Sequence, residues 1–172
     1  MKYYYEYETV IGNLCLVEEQ QAITGLYLLS SPLNTEHRGK NSPGIATATS
    51  GECRETPIIK KAYEQLSEYF AGARKEFELP LAPQGTEFQK KVWAELQEIP
   101  YGETRSYGEI AAAIGNTKAC RAIGGANHNN PIMIMIPCHR VIGANGSMTG
   151  YGGGLPVKEY LLELEQKNCL TV

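Results

Sequence analysis

Aspartate is absent from the 172 residues, so all 19 acidic side chains are glutamates. Any cysteine–histidine pair here must therefore be completed by Glu, Asn or water. Histidine is nearly as scarce: His37, His128 and His139 stand far apart and offer no ligand spacing for zinc. Neither a metal nor a cofactor is expected. No apolar run approaches the length of a membrane span, and no secretory leader opens the chain. There is also no CxxC pair, and five cysteines are an odd number. The expectation is a soluble protein with reduced thiols, cytoplasmic in a prokaryote or nuclear in a eukaryote, without a membrane partner.

A chain of this length can bury a genuine core as one large domain or two small ones. Residues 3–29 alternate loosely, with Gly12-Asn13 and Glu18-Glu19-Gln20-Gln21 as interruptions, and read as a small antiparallel meander. The tyrosines at 3, 5 and 7 read as sheet-face packing. Residues from about 30 to 56 are rich in Ser, Thr, Gly, Asn and Pro and read as a long surface connection or a partly disordered one. Pro57 opens a helix with Ile58, Ala62, Leu66 and Tyr69-Phe70 on one face, ending near Gly72. A boundary near Pro83 divides the chain into 1–83 and 84–172.

The second part is punctuated by helix signals. Thr86 with Gln89, and Ser106 with Glu109, each have capping-box spacing before an apolar run. Thr117 is placed to cap a helix from Lys118 to about Asn127. The second and third of these helices, joined across Gly115-Asn116 with Arg121 early in the latter, fit a helix-turn-helix. That pattern alone is weak, because helical hairpins occur in many proteins that touch no DNA. Charge adds to it. Net charge is -3, yet from Thr104 to Lys158 the cations Arg105, Lys118, Arg121, Arg140 and Lys158 face one acid, Glu109. Such a basic footprint can hold phosphates with salt-sensitive affinity.

Ile132–Ile136 is wholly apolar and reads as a buried strand that ends at Pro137-Cys138-His139-Arg140. Proline cannot donate to a sheet ladder and biases the preceding residue toward extended backbone, so the chain must turn there. A buried strand thus delivers a thiol, an imidazole and a guanidinium to one edge. Cysteine is often only a small buried hydrophobe, but His139 and Arg140 resist burial unless paired and place Cys138 at a polar boundary. A neighbouring imidazole or cation is the usual way to raise the thiolate fraction. Six glycines around Tyr151 follow, and Pro156 starts a last helix with Val157, Tyr160, Leu161 and Leu164 as its apolar stripe. Glu165, beside that stripe, reads by itself as a solvated acid. The fold class expected is α/β in the α+β sense: a small N-terminal antiparallel sheet with a helix, then a mostly helical domain with a helix-turn-helix and a short active-site strand.

SYGEIAAAIG, RAIGGANHNNP, IPCHRVIG and GYGGGLPVKEYLL together resemble the O6-alkylguanine-DNA alkyltransferases, or methylated-DNA-protein-cysteine methyltransferases, from about Gly85 to Glu165. The resemblance implies single, irreversible transfer of an alkyl group from O6-alkylguanine, with O4-alkylthymine as a further candidate substrate, to Cys138. It implies His139 linked through water to the sulfur, Glu165 hydrogen-bonded behind His139, and Tyr107 assisting departure of the base and rotating the flanking phosphate. Arg121 would fill the stack vacated by a flipped nucleotide, with Ala122 and Gly125 on the same DNA-facing helix. Asn130 would be a hinge, the Cys138 and Val141 carbonyls would meet the guanine's exocyclic amine, and an amide near Gly152 would meet O6. The implied partner is double-stranded DNA bound through the minor groove by a monomer. Two other readings of the same residues stand beside it: a Cys-His-Glu hydrolase built on Cys138, His139 and Glu165, and a non-catalytic helix-turn-helix DNA-binding protein.

Overall fold

The computed structural model describes residues 1–38, 45–148, 151 and 154–169, and the chain divides into two compact units, Met1–Pro83 and Gln84–Val172. In the first, β1 (Lys2–Thr9), β2 (Gly12–Glu19), β3 (Ala22–Ser31) and β4 (Asn34–Arg38) form an antiparallel meander. A two-residue β5 (Glu52–Cys53) adds to β1 in parallel, giving the order β4-β3-β2-β1-β5. Both faces of the central β2 are covered, which is why its sequence runs Leu14-Cys15-Leu16-Val17 without a polar break. Between 30 and 56 the expected featureless connection instead contains β4, a short helix α1 (Ile45–Ala48) and β5. Buried Ala48 joins Cys15 and Val17 in a small cluster, and that contact organises a segment whose composition is polar.

The first hairpin turn also differs from expectation. Thr9 pairs with Gly12, so Val10-Ile11 are the turn and Gly12-Asn13 begin the strand. Ile11 is fully buried, so its apolar character serves the core from a turn position. The second turn is Gln20-Gln21, both in left-handed backbone with φ of 50° and 62°. Helix α2 (Pro57–Phe70), capped by Thr56, lays Ile59, Ala62, Leu66 and Tyr69 on β1–β3. Tyr7 stacks on Tyr63 at 3.9 Å and its hydroxyl donates to Glu55 at 2.6 Å, so the tyrosine row packs as expected.

In the second unit, α3 (Glu87–Leu96) and α4 (Tyr107–Ala113) both carry the anticipated capping boxes. Helix α5 (Cys120–His128) starts later than predicted. Its N-cap is Ala119, without a side-chain hydrogen bond, while Thr117 and Lys118 lie in the preceding turn. The register of α5 is set by packing instead: Ile123 and Ala126 are buried, and buried Trp93 of α3 donates its indole N–H to Ala126 O at 2.9 Å. Helices α3, α4 and α5 contact one another pairwise. A single parallel pair, β6 (Arg105–Ser106) with β7 (Val141–Ile142), and α6 (Leu155–Cys169) complete the unit.

The expected active-site strand at Ile132–Ile136 is not a strand. All five residues are buried, but Ile136 N–H bonds Ile132 O at 3.0 Å and Met135 N–H bonds Met133 O at 2.8 Å, so the segment coils on itself. The cause lies one residue before Pro131. Asn130 Oδ1 accepts from Ile132 N–H at 3.0 Å and its Nδ2 donates to Ile136 O at 2.8 Å, and those are the backbone groups a ladder would have used. Ile134 takes φ of 70°, an uncommon setting for a β-branched residue, and the surrounding burial holds it there. The chain then enters one 3-10 turn, Cys138–Arg140, and only afterwards the strand β7.

Candidate active site

The 3-10 turn puts Cys138, His139 and Arg140 at consecutive positions, each buried, at 4%, 0% and 7% exposure. Its carbonyls are fixed from several sides. Val141 N–H closes the turn on Cys138 O, Asn127 Nδ2 also reaches Cys138 O at 3.3 Å, and Lys158 Nζ donates to Val141 O at 2.6 Å. Pairing of β7 with β6 brings Arg105 opposite Val141 and Ser106 opposite Ile142. Tyr107, the first residue of α4 and half-buried, follows directly from that pairing, so the helix-turn-helix is tied through two residues to the cysteine turn.

Glu165, read from sequence as a solvated acid, is 1% exposed and is the hub of the site. Its Oε2 meets His139 Nε2 at 2.6 Å and Arg140 Nη2 at 3.0 Å, and its Oε1 meets Arg140 Nε at 2.7 Å and Gly102 N–H at 3.3 Å. Arg140 also donates to Ile99 O at 2.7 Å and lies over the Tyr101 ring. Spacing explains the burial: Lys158, Leu161 and Glu165 fall at i, i+3 and i+7 on one face of α6. The polar residues on that face were the overlooked signal. Burial and pairing also correct the basic footprint, since Arg140 and Lys158 point into the unit, and Arg105 is half-buried and paired with Glu103. Lys118 and Arg121 remain as exposed cations on the helix-turn-helix.

These contacts set the protonation states. Burial would raise the Glu165 carboxyl, but hydrogen bonds and charge from His139 and Arg140 overcome it and hold the group well below the usual carboxylate range. Burial lowers His139 despite the opposing pull of Glu165, with Arg140 and Lys158 lowering it further. The imidazole is therefore neutral near pH 7. With Nε2–H given to Glu165, Nδ1 is the nitrogen that can receive a proton, and it has no hydrogen-bond partner among the described residues. Burial pushes the Cys138 thiol up to about 11, against smaller opposing effects from Asn130, Lys158 and Tyr151. Tyr151's buried hydroxyl lies beside the sulfur and favours the thiolate without a well-formed hydrogen bond.

The sequence-level expectation that adjacent His139 and Arg140 keep a ready thiolate thus does not hold in the free protein. Arg140 is committed to Glu165, and burial keeps Cys138 as the thiol near pH 7. A variant with Cys138 as its only cysteine should react with iodoacetamide along a pH curve whose midpoint lies near 11. A midpoint below neutrality would show that the site stores a thiolate.

The 6-O-methylguanine DNA methyltransferase DNA-binding domain matches residues 87–167, and the ribonuclease-like domain of the same proteins matches residues 2–83. The chain belongs to this methyltransferase family. A methylated-DNA–protein-cysteine methyltransferase of Methanosarcina acetivorans is 47% identical over 163 residues, covering 95% of this chain and 97% of the relative. The solved O6-methylguanine methyltransferase of Mycobacterium tuberculosis superposes with a TM-score of 0.85 at 43% identity, covering 100% of this chain and 97% of that one. A structure of the M. tuberculosis protein in complex with DNA gives 0.82 at 44% identity, covering 96% and 94%.

Of the residues that resemblance to the methyltransferases singled out, Cys138, His139 and Glu165 come together in one buried cluster. Asn130 brackets the coil before Cys138, and Val141 follows the turn. Arg121, Ala122 and Gly125 are exposed on α5. Gly152 lies outside the described residues. Sequence reasoning missed the partners of these groups: Arg140 as the fork on Glu165, Lys158 on Val141 O, Tyr151 beside the sulfur and Asn127 on Cys138 O.

Proposed function

We propose that this protein repairs DNA by moving an alkyl group from O6 of guanine to Cys138, once per molecule. The observation that carries the reading is a buried Cys138 followed in the same 3-10 turn by a neutral His139 held on the Glu165 carboxylate that Arg140 grips. The thiol proton passes through a water to His139 Nδ1, and the imidazolium that forms is stabilised by Glu165. Sulfur then bonds to the alkyl carbon as the carbon–O6 bond breaks. The departing guanine takes a proton, with the Tyr107 phenol as donor. Thioethers do not hydrolyse as thioesters do, so the product protein is spent.

An alkyl group on O6 lies within the duplex, so the base must leave the stack to reach a thiol that is 4% exposed. The reading places α5 in the minor groove of DNA bound by a monomer, with the flipped base's exocyclic amine on the Cys138 and Val141 carbonyls. Incubation with excess O6-methylguanine duplex, followed by intact mass and peptide mapping, tests it. Each molecule should gain one methylene on the Cys138 peptide and stop at one equivalent. Turnover without an added alkyl acceptor would instead indicate a hydrolase-like cycle.

Arg121 gives a second test, because it is exposed at the start of α5 and could either contact phosphate or fill the gap left by the base. If it fills the gap, Arg121→Ala loses about 1–4 kcal/mol of help with flipping. Duplex repair then slows roughly tenfold to a thousandfold. Free O6-benzylguanine, already unstacked, should react at nearly the normal rate. Equal slowing on both substrates would place Arg121 in the chemistry or the fold.

A further inference from the structure

The two carbonyls that would receive the guanine's amine differ in how occupied they are. Val141 O accepts Lys158 Nζ at a short 2.6 Å and retains a second lone pair. Cys138 O already accepts two donors, Val141 N–H and Asn127 Nδ2, which are all that a carbonyl's two lone pairs take. The Asn127 bond, at 3.3 Å, is the long one and the easier to exchange.

Packing does not account for an asparagine at this position. Asn127 lies on α5 at 4% exposure, and its Oδ1 is buried with no hydrogen-bond partner among the described residues. An unmet buried acceptor weakens a fold relative to an apolar side chain of similar size. Among the described residues, the side chain of Asn127 bonds to the carbonyl of the cysteine itself, across 11 positions of sequence.

We propose that Asn127 is a placeholder for the exocyclic amine of the incoming base and thereby a specificity-determining residue. It satisfies Cys138 O while the site is empty and yields that lone pair when a base bearing an amine at this edge enters. The inference rests on the guanine reading above. Its effect is to blunt selectivity: a base with the amine exchanges one hydrogen bond for another, and a base without it leaves Cys138 O still satisfied by Asn127. With the placeholder removed, the amine-bearing base gains a full hydrogen bond, and the base lacking it buries a carbonyl with one lone pair unmet beside its bond from Val141 N–H.

Rates of methyl transfer from O6-methylguanine and O6-methylhypoxanthine duplexes, which differ only in that amine, provide the test in wild type and Asn127→Leu. The guanine-to-hypoxanthine rate ratio should rise about two- to tenfold in the variant, the scale of one hydrogen bond, with no fall in melting temperature. A common fall in both rates with the ratio unchanged would show a merely structural role, and a lower ratio would reverse the assignment. Should Asn127→Leu not fold, the Asn127 side-chain amide resonances of Cys138→Ser can be followed by NMR. They should move on adding the guanine duplex and stay in place with the hypoxanthine duplex. Equal displacement by both overturns the proposal. Failure of the guanine reading itself would look different: wild type would methylate Cys138 from neither duplex.

Discussion

Cys138→Ser should bind O6-methylguanine duplex as tightly as wild type, within about twofold, while transfer falls by more than roughly a thousandfold. The thiol and the exposed cations of the helix-turn-helix occupy different parts of the unit. Cys138 is buried on the 3-10 turn, and Lys118 and Arg121 are exposed on and just before α5. Serine is close in shape but its hydroxyl ionises far less readily than a thiol, and burial already disfavours the anion at this position. His139, Glu165 and Arg140 keep their mutual contacts, none of which involves the sulfur. Gel-shift affinity and single-turnover transfer on the same preparation check both halves. A variant that lost binding and transfer together, with its fold intact, would show that the cysteine turn is itself part of the DNA-binding surface.

Much of the fold was legible because local chemistry and tertiary structure agree there. The capping boxes at Thr86 and Ser106 mark helix starts by satisfying backbone donors within four residues, and no distant partner is needed. At Thr117 the same kind of signal misled, because burial of Ile123 and Ala126 and the indole of Trp93 fix where α5 lies, and both are long-range facts. Ile132–Ile136 announced its burial but not its shape. An apolar run carries no period to separate a strand from a coil, and the deciding hydrogen bonds come from the side chain of Asn130. In the candidate site, Cys138 and His139 stood out by type and by family resemblance. A charge count alone puts Arg140 at the surface, because it cannot tell a solvated cation from one paired with an acid 25 residues away. Lys158 and Glu165 share a helical face with Leu161, and that spacing held the information that both are buried.

Arg140→Leu should then be the most damaging substitution outside the acceptor, with a loss of about 3–5 kcal/mol, because it leaves the Glu165 carboxylate buried without its fork. For a chain of this size that lowers the melting temperature by roughly 6–20 °C. The sign of the pH effect follows from the wild-type shifts. Glu165 is depressed on folding, so its stabilisation is complete above the ordinary carboxylate range and is lost only as pH falls below that range. His139 is also lowered, so folding opposes its protonation and stability declines again as pH falls through the ordinary histidine range. Without Arg140, one of the two cations that lower His139 is gone and the carboxylate has the imidazole as its main partner. His139 should therefore protonate at higher pH, moving the acid limb of the transfer rate upward. Arg140→Lys retains the charge but cannot make two parallel bonds to one carboxylate, and should fall between wild type and Arg140→Leu. Adding Glu165→Leu to Arg140→Leu removes the stranded charge, so the double variant should be more stable than the sum of the single losses requires. Its transfer rate should stay low, since His139 would then have no carboxylate to orient its ring. Recovery of stability and activity together in the double variant would mean that the Glu165 cluster serves the fold alone.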